Sequence, residues 1–283
     1  MYRKILAAVD GSESSRNAFR QACRIAREEK SWLTVLTVVP SFSDKFDARM
    51  IREEVDKALR AQGEKILASM KDISESEGVA VQQEIDSGSA YEAIIRRSES
   101  NGYDLLVMGR RGLRRMERSL MGGTTARVLA GTKKNVLVVP RDTSIGWEKL
   151  LLPTDGSSCS AAAAKLAVEL AGLHGSKLAV VTVVDVTEEF QTVAPKAMER
   201  LVEKAKEVLE DAAREAGAAG VNAGTFLKEG EAFKAITGLA GELGSDLIVM
   251  GSHGRTGIGR LIMGSVTEKV IGHAPCPVLV ART

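Results

Sequence analysis

The chain has 283 residues, of which 44% are hydrophobic and 27% charged, with a formal net charge of +2. This length accommodates two ordinary domains, and the near-neutral charge gives no argument for binding nucleic acid or a membrane. We find no apolar run near the ~18 residues that span a bilayer, and no signal-peptide core. Three scattered cysteines, Cys23, Cys159 and Cys276, form no metal or disulfide framework, so we expect a cytoplasmic protein.

The predicted elements come in the same order in the two halves of the chain. Each half opens with an apolar strand that ends in Asp-Gly-Ser, at residues 10–12 and 155–157. A helix and a β-branched strand follow, the strand covering 32–39 or 177–184. The next elements are a longer, mostly charged helix (46–77 or 195–216) and a short strand (79–86 or 221–228).

A third helix in each half leads to an apolar strand, 104–108 or 246–250, that runs into a glycine-rich loop. A further helix and a last strand, 135–140 or 277–282, complete the half. Strands that alternate with helices predict a parallel sheet covered on both faces. We therefore expect an α/β protein of two tandem doubly wound domains, 1–142 and 147–283, each a five-stranded parallel sheet flanked by helices.

The most informative stretch is Gly251-Ser252-His253-Gly254, which is followed nine residues later by Gly264-Ser265. A strand, a glycine loop and a helix start form a phosphate-binding geometry, because glycine lets an anion approach the backbone and the helix start supplies free N–H donors. Ser265 either adds a hydroxyl to the phosphate or caps the helix. The alternative is that these glycines only shape turns at strand ends.

The first half carries a second copy of this stretch, Gly109-Arg110-Arg111-Gly112 and then Gly122-Gly123-Thr124. Gly123 stands where serine or threonine is expected, so one hydroxyl is missing while the N–H groups remain. The loop is also rich in arginine, with Arg110, Arg111, Arg114, Arg115 and Arg118, whereas its counterpart has only Arg255 and Arg260. We expect this half to bind a phosphate ligand differently and with a steeper salt dependence, unless the arginines form a solvent-facing basic turn.

Two further segments of each half should lie beside the glycine loop, because ligands of doubly wound sheets bind beyond the carboxyl ends of the strands. Asp10 and Asp155 follow the first strand, where a carboxylate can accept from a ribose hydroxyl or an adenine amino group. Val38 and Val183 end the second strand, where apolar side chains can wall an adenine. Alternatively, the two aspartates form a turn or a helix cap with the Gly-Ser that follows.

These motifs resemble the universal stress protein family over nearly the whole chain, as two tandem copies. The resemblance rests on residues 153–157, 246–254, 264–267 and 273–280, and the second half matches in full the family's ATP-binding pattern Gly-x2-Gly-x9-Gly-[Ser/Thr]. It implies Rossmann-like domains of the adenine nucleotide alpha hydrolase type, a cytoplasmic role in regulating the stress response, and domains that pair through their last strands. A homodimer of the whole chain is a further expectation by analogy.

The resemblance also implies an ATP site, with or without Mg²⁺. The adenine would lie near Val183, the ribose near Asp155, and the phosphates on the glycine motif. The second-half residues assigned to it are Pro153, Thr154, Asp155, Val183, Gly251, His253, Gly254, Gly264, Ser265 and Val266. In the first half the motif departs from the pattern at Gly123, and the corresponding residues are Asp10, Val38, Gly109, Gly112, Gly122, Gly123 and Thr124.

Two other functions stay open at this point. One is an enzyme, either an ATP hydrolase or an adenylyl-transferring relative; the other is a protein-interaction scaffold whose nucleotide sites are vestigial. The sequence has no Walker motif Gly-x4-Gly-Lys-[Ser/Thr] and no obvious general base. We therefore assign no catalytic residue and no metal ligand, and expect an adenine nucleotide to be the partner molecule.

Overall fold

The computed structural model of the protein describes residues 1–41, 49–112, 121–186, 193–254 and 263–282. The chain divides into two compact units, Met1–Asp142 and Thr143–Thr283. Within the ranges described, we find no helix that is both long and apolar enough to cross a membrane. Each unit alternates strands and helices along a parallel sheet, which confirms the predicted fold class.

The first unit is a five-stranded sheet with helices between its strands. Its strand order is β3-β2-β1-β4-β5 with all neighbours parallel, so the order reverses between β1 and β4. The elements are β1 Lys4–Val9, α1 Glu13–Glu29, β2 Trp32–Val39, α2 Arg49–Ser76, β3 Val81–Ser87, α3 Ala90–Ser100, β4 Leu105–Gly109, α4 Gly123–Gly131 and β5 Asn135–Val139.

The second unit repeats this topology. Its strand order is β8-β7-β6-β9-β10, again parallel throughout, with the reversal between β6 and β9. The elements are β6 Lys149–Pro153, α5 Ser158–His174, β7 Lys177–Val184, α6 Pro195–Ala218, β8 Ala223–Glu229, α7 Ala232–Leu243, β9 Leu247–Gly251, α8 Ser265–His273 and β10 Val278–Ala281.

The first helix of each unit starts at the serine of Asp-Gly-Ser. The Ser12 hydroxyl accepts from the Ser15 amide at 3.2 Å, and the Ser157 hydroxyl accepts from the Ser160 amide at 3.3 Å. These side chains satisfy donors that have no partner inside the helix, so each helix begins directly beyond the carboxyl end of the first strand. The aspartate just before each cap is thereby held at the edge where a ligand is expected.

One aspartate in each unit aligns the two central strands. The Asp104 carboxylate accepts from the amides of Arg3 and Lys4 at 2.9 and 3.0 Å. Asp246 does the same in the second unit with the amides of residues 148 and 149, at 3.1 and 2.9 Å. Because these contacts tie the amino ends of neighbouring strands together, they also fix where the carboxyl ends and their loops meet.

The short third strand of each unit starts two residues later than predicted. Val79 and Val221 donate their amides back to the carbonyls of Ser74 and Ala216, both at 2.9 Å. The glycine before each valine, residue 78 or 220, has a left-handed φ of 69° or 75°, which lets the backbone close the helix in this way. The valine amides are therefore used by the helix end and not by the sheet.

Candidate functional site

In the second unit, the segment after β6 is fastened to β7. The Thr154 amide donates to the Val181 carbonyl at 2.9 Å, and the Thr154 carbonyl accepts from the Thr182 hydroxyl at 2.9 Å. Thr154 is buried, while Val183, near the end of β7, is half-buried. These bonds hold Pro153 and Thr154 at the carboxyl edge of the sheet, next to the end of the strand predicted to face an adenine.

The two oxygens of Asp155 have different surroundings. Oδ1 accepts from the Ser157 amide at 3.0 Å, so the predicted turn with Gly-Ser is present. Oδ2 lies against the glycine loop, because a Cβ added to Gly254 would be 2.7 Å from it. The carboxylate thus takes part in the turn and also touches the loop, and the two interpretations of Asp155 are compatible.

The start of α8 is bonded to the same loop. The Gly264 amide donates to the Ser252 carbonyl at 3.0 Å, and a Cβ on Gly264 would lie 3.2 Å from the His253 Cα. The Thr267 hydroxyl donates to the Gly251 carbonyl at 3.0 Å. Gly254, Gly264 and Asp155 therefore meet at one place, at the carboxyl ends of β6 and β9 where the strand order reverses.

Ser265 does not cap α8, so that part of the expectation is wrong. Gly264 occupies the cap position with extended backbone, and no side chain in the described part of the chain forms a cap hydrogen bond there. Ser265 is the first residue of the helix proper, followed by Val266. The helix begins one residue earlier than a serine cap at position 265 requires, because Ser265 is already inside it. A contact between the Ser265 hydroxyl and a phosphate stays a prediction.

Gly251 has a packing role that does not depend on any ligand. A Cβ at this position would lie 2.6 Å from the Cys159 carbonyl oxygen and 2.7 Å from its carbonyl carbon. These are backbone atoms of α5, which cannot move aside as a flexible side chain can. The absence of a side chain at Gly251 therefore allows α5 to approach β9 closely, and a phosphate contact from this residue stays a prediction.

The first unit has the same framework. The Asp10 Oδ1 accepts from the Ser12 amide at 3.0 Å, and a Cβ added to Gly112 would collide with Asp10 Oδ2. The Gly122 amide donates to the Arg110 carbonyl at 2.9 Å, as Gly264 does to Ser252. The loop, the aspartate and the helix start are thus brought together in this unit too.

The helix start of the first unit has room for a side chain that it lacks. Gly122 is at the cap position of α4, Gly123 is the first helical residue and Thr124 the next. A Cβ on Gly123 would meet no described residue within 4 Å. The Thr125 hydroxyl donates to the Gly109 carbonyl at 3.0 Å, matching the bond made by Thr267. Gly123, which stands where the second unit has Ser265, therefore lacks a hydroxyl, while the described contact of the neighbouring threonine is kept.

The two loops differ in charge. Arg110 and Arg111 stand at the positions that Ser252 and His253 occupy in the second unit. Burial and then the positive charge of Arg111 lower the pKa of Arg110, although guanidinium stays protonated at neutral pH. The other loop arginines singled out from the sequence, Arg114, Arg115, Arg118, Arg255 and Arg260, lie outside the described residues.

His253 is mainly neutral at pH 7. Burial and then the positive charge of Arg282 lower its pKa below the ordinary histidine value. Its Nδ1 lies 3.0 Å from the Ser252 hydroxyl, and its Nε2 is buried and has no hydrogen-bond partner among the residues that the structure describes. The ring therefore adds a polar group to the loop but little positive charge.

Cys159 should be the most reactive of the three cysteines towards an alkylating reagent. Burial raises the pKa of the Cys23 and Cys276 thiols to about 12, so almost no thiolate is present there at neutral pH. Cys159 is partly exposed, and its Sγ lies 4.0 Å from the Ser252 Oγ. Intact-mass spectrometry should find one adduct on the folded protein and three after denaturation. Simultaneous labelling of all three thiols in the folded protein would contradict this burial pattern.

A cavity of about 430 Å³ lies at the amino ends of the strands of the first sheet, opposite the glycine loop's end. Residues at the amino ends of β1, β2 and β3 line it, namely Lys4, Trp32, Leu33, Thr34, Ala80, Val81 and Gln82. The indole of Trp32 is 79% exposed there. None of the residues assigned to nucleotide binding lines this cavity, so it is separate from the glycine loop of that unit.

Several supporting residues were not singled out from the sequence. They are Thr125 and Thr267, which bind the carbonyl at the start of each glycine loop, and Cys159 and Arg282, which adjoin Ser252 and His253. The threonines could have been found by comparing the two copies, because Thr125 follows Gly112 at the same spacing as Thr267 follows Gly254. No comparable signal exists for Cys159, whose counterpart is Ser14, or for Arg282, whose counterpart is Pro140.

Comparisons with known proteins identify the family of the chain and support its fold. The model of the universal stress protein family matches residues 1–140 and again 146–282. A universal stress protein of Mycolicibacterium smegmatis is 27% identical over 98% of this chain and 96% of its own. One of Methanocaldococcus jannaschii is 37% identical over 48% of this chain and 82% of its own. The crystal structure of a universal stress protein from Archaeoglobus fulgidus has a TM-score of 0.72 and 23% identity, covering 99% of this chain and 96% of that one, which supports the fold.

Proposed function

Because the chain belongs to the universal stress protein family, as two tandem domains, we propose that it is a regulatory protein of the stress response whose second domain binds ATP. The observation that carries this proposal is the convergence of Asp155, Gly254 and Gly264 at the point where the strand order reverses. In doubly wound sheets that point is where ligands bind. A cytoplasmic location, expected from the sequence, is part of the same proposal.

In this proposal the ATP lies across the carboxyl ends of β6, β7 and β9. Asp155 accepts from the ribose, and Val183 faces the adenine. The amides at the start of α8 donate to the phosphates, because no side chain of the described residues caps that helix start, and the Ser265 hydroxyl adds a further donor. Neutral His253 offers one further hydrogen-bonding group.

A Mg²⁺ ion would come with the nucleotide. Among the residues that the structure describes, no group of three or more His, Cys, Asp and Glu side chains is arranged to hold a metal ion. Phosphate oxygens together with water are ligands that Mg²⁺ commonly uses at nucleotide sites. The protein's part is therefore to hold the phosphates, and the Asp155 carboxylate and the Ser265 hydroxyl are oxygen ligands that the proposed site could add.

Mass spectrometry of small molecules released by denaturing the purified protein tests this function. We expect an adenine nucleotide that leaves the protein after extensive dialysis and rebinds from solution. A protein that neither carries nor rebinds a nucleotide would favour the scaffold function. A phosphate-release assay on the loaded protein separates binding from slow hydrolysis.

Pairing of the two domains through β5 and β10 is a further part of the proposal. Residues Val136–Val139 and Val278–Ala281 of these strands are apolar, and each strand is last in the order of its own unit. Such an edge invites pairing. Halves 1–142 and 143–283 expressed separately should associate when mixed, as measured by sedimentation. Two halves that sediment as independent monomers at high concentration would contradict this pairing. A homodimer of the whole chain stays a prediction by analogy.

A further inference from the structure

The residues that surround the two proposed nucleotide sites differ in charge. In the first domain, Arg110 and Arg111 occupy the middle of the glycine motif, and the first turn of α4 contains no acidic residue. In the second domain the motif contains Ser252 and neutral His253. The first turn of α8 also contains Glu268, whose counterpart in α4 is Ala126.

Arg282 of the second domain reduces the difference in charge between the two sites but does not remove it. Arg282, at the end of β10, raises the positive charge behind the second loop, as its effect on the pKa of His253 indicates. Its counterpart in the first domain is Pro140. Among the described residues at the loop, the following helix turn and the end of the last strand, Arg110 and Arg111 give the first domain two positive charges. In the second domain, Arg282 and Glu268 cancel each other.

The two arginines of the first loop also repel each other. Arg111 is exposed, and its charge lowers the pKa of Arg110, which is itself partly buried. An anion bound between the aspartate and the helix start would relieve this repulsion, and the relief grows with the negative charge of the anion. At the loop ends that the structure describes, the two domains make the same backbone hydrogen bond, from Gly122 to Arg110 and from Gly264 to Ser252, so the comparison there is one of charge.

We propose that the first domain is selective for the triphosphate form of the nucleotide, whereas the second discriminates much less between nucleotides of different phosphate charge. This inference rests on the proposed function, because it assumes that the ligand of both sites is an adenine nucleotide. Arg110 and Arg111 act as specificity-determining residues: they compensate for the hydroxyl missing at Gly123 and favour the more highly charged ligand.

The test uses the full-length chain with one site disabled at a time. Gly264→Val disables the second site, so that only the first can bind. Gly122→Val disables the first site, so that only the second can bind. Calorimetry with ATP and with AMP, at one fixed Mg²⁺ concentration, gives the ratio of the two affinities for each site. We expect this ratio to be at least about tenfold larger at the first site, the size of one charge-assisted hydrogen bond.

Exchange of the loop residues identifies the cause. Arg110→Ser with Arg111→His should reduce the first-site ratio to that of the second site, and Ser252→Arg with His253→Arg should raise the second-site ratio. The single variant Arg111→His should fold even if the double variant does not, since Arg111 is exposed. Arg111→Lys preserves the charge and should keep most of the selectivity. Circular dichroism confirms folding for each variant.

The outcomes separate this inference from the proposed function. Equal ratios at the two sites, or a ratio that Arg111→His leaves unchanged, would overturn the selectivity. ATP binding at the second site with none at the first would also overturn it, and would leave the proposed function in place. ATP binding at neither site of the unmodified chain would overturn the proposed function, and the inference that rests on it.

Discussion

Replacement of Gly264 by valine should weaken ATP binding at the second site by at least about 100-fold, the loss of two hydrogen bonds to a charged ligand. An added Cβ would lie 3.2 Å from the His253 Cα and 3.3 Å from the Ser252 carbonyl oxygen. Both are backbone atoms, so the larger valine side chain either displaces the loop or stands where a phosphate would approach the amides of α8. Calorimetry on the full-length protein measures the change.

Gly238→Val is the matched control for this prediction. Gly238 is exposed in α7, and within the described ranges no atom lies closer than 4 Å to a Cβ placed there. Valine is also better tolerated than glycine inside a helix, so this variant should fold and bind ATP as the unmodified protein does. Unchanged ATP affinity in Gly264→Val, with the protein folded, would contradict the site assignment.

Replacement of Gly251 by alanine should lower the free energy of unfolding by about 1–3 kcal/mol, the usual cost of overpacking. The new methyl group would lie 2.6 Å from the Cys159 carbonyl oxygen and 3.0 Å from the Ser160 amide nitrogen. Because α5 carries both groups in its backbone, the helix itself must move away from β9. Urea unfolding followed by circular dichroism measures the loss as a lower transition midpoint for the second domain.

The first domain provides a companion to this prediction. A Cβ on Gly109 would lie 2.7 Å from the Ser14 hydroxyl and 2.8 Å from its carbonyl carbon, so Gly109→Ala should destabilise that domain in the same way. Gly238→Ala serves as the control, since its methyl group meets open space. If Gly251→Ala and Gly238→Ala unfold at the same urea concentration, the close contact between α5 and β9 is not important for stability.

The fold was predictable from the sequence because its determinants are local and occur twice. Alternation of apolar strands with helices is visible along the chain, and so is the Asp-Gly-Ser that ends β1 and β6. The strand starts of β3 and β8 were less accurate, because the amides of Val79 and Val221 are used by the preceding helix ends. A sequence pattern does not reveal which of two neighbouring elements receives such an amide.

The meeting of Asp155 with the glycine loop was predictable from the sequence, whereas nucleotide binding by these residues stays a prediction. The spacing of the glycines and Asp155 correctly placed them together, since carboxyl ends of parallel strands share one edge. Spacing along the chain does not show that the space at Gly251 is filled by the backbone of α5, or that Gly264 and not Ser265 is the cap. The first fact depends on a contact between segments that are about ninety residues apart in the sequence. The second depends on which of two neighbouring residues begins the helix.

Titration of the full-length protein with ATP, compared with Gly264→Val under the same conditions, tests the central claim most directly. The account predicts saturable binding that includes a site in the second domain, and loss of that site alone in the variant while the protein stays folded. Absence of ATP binding by the unmodified protein, or binding that is the same in both proteins, would contradict the claim that Asp155, Gly254 and the start of α8 form a nucleotide site.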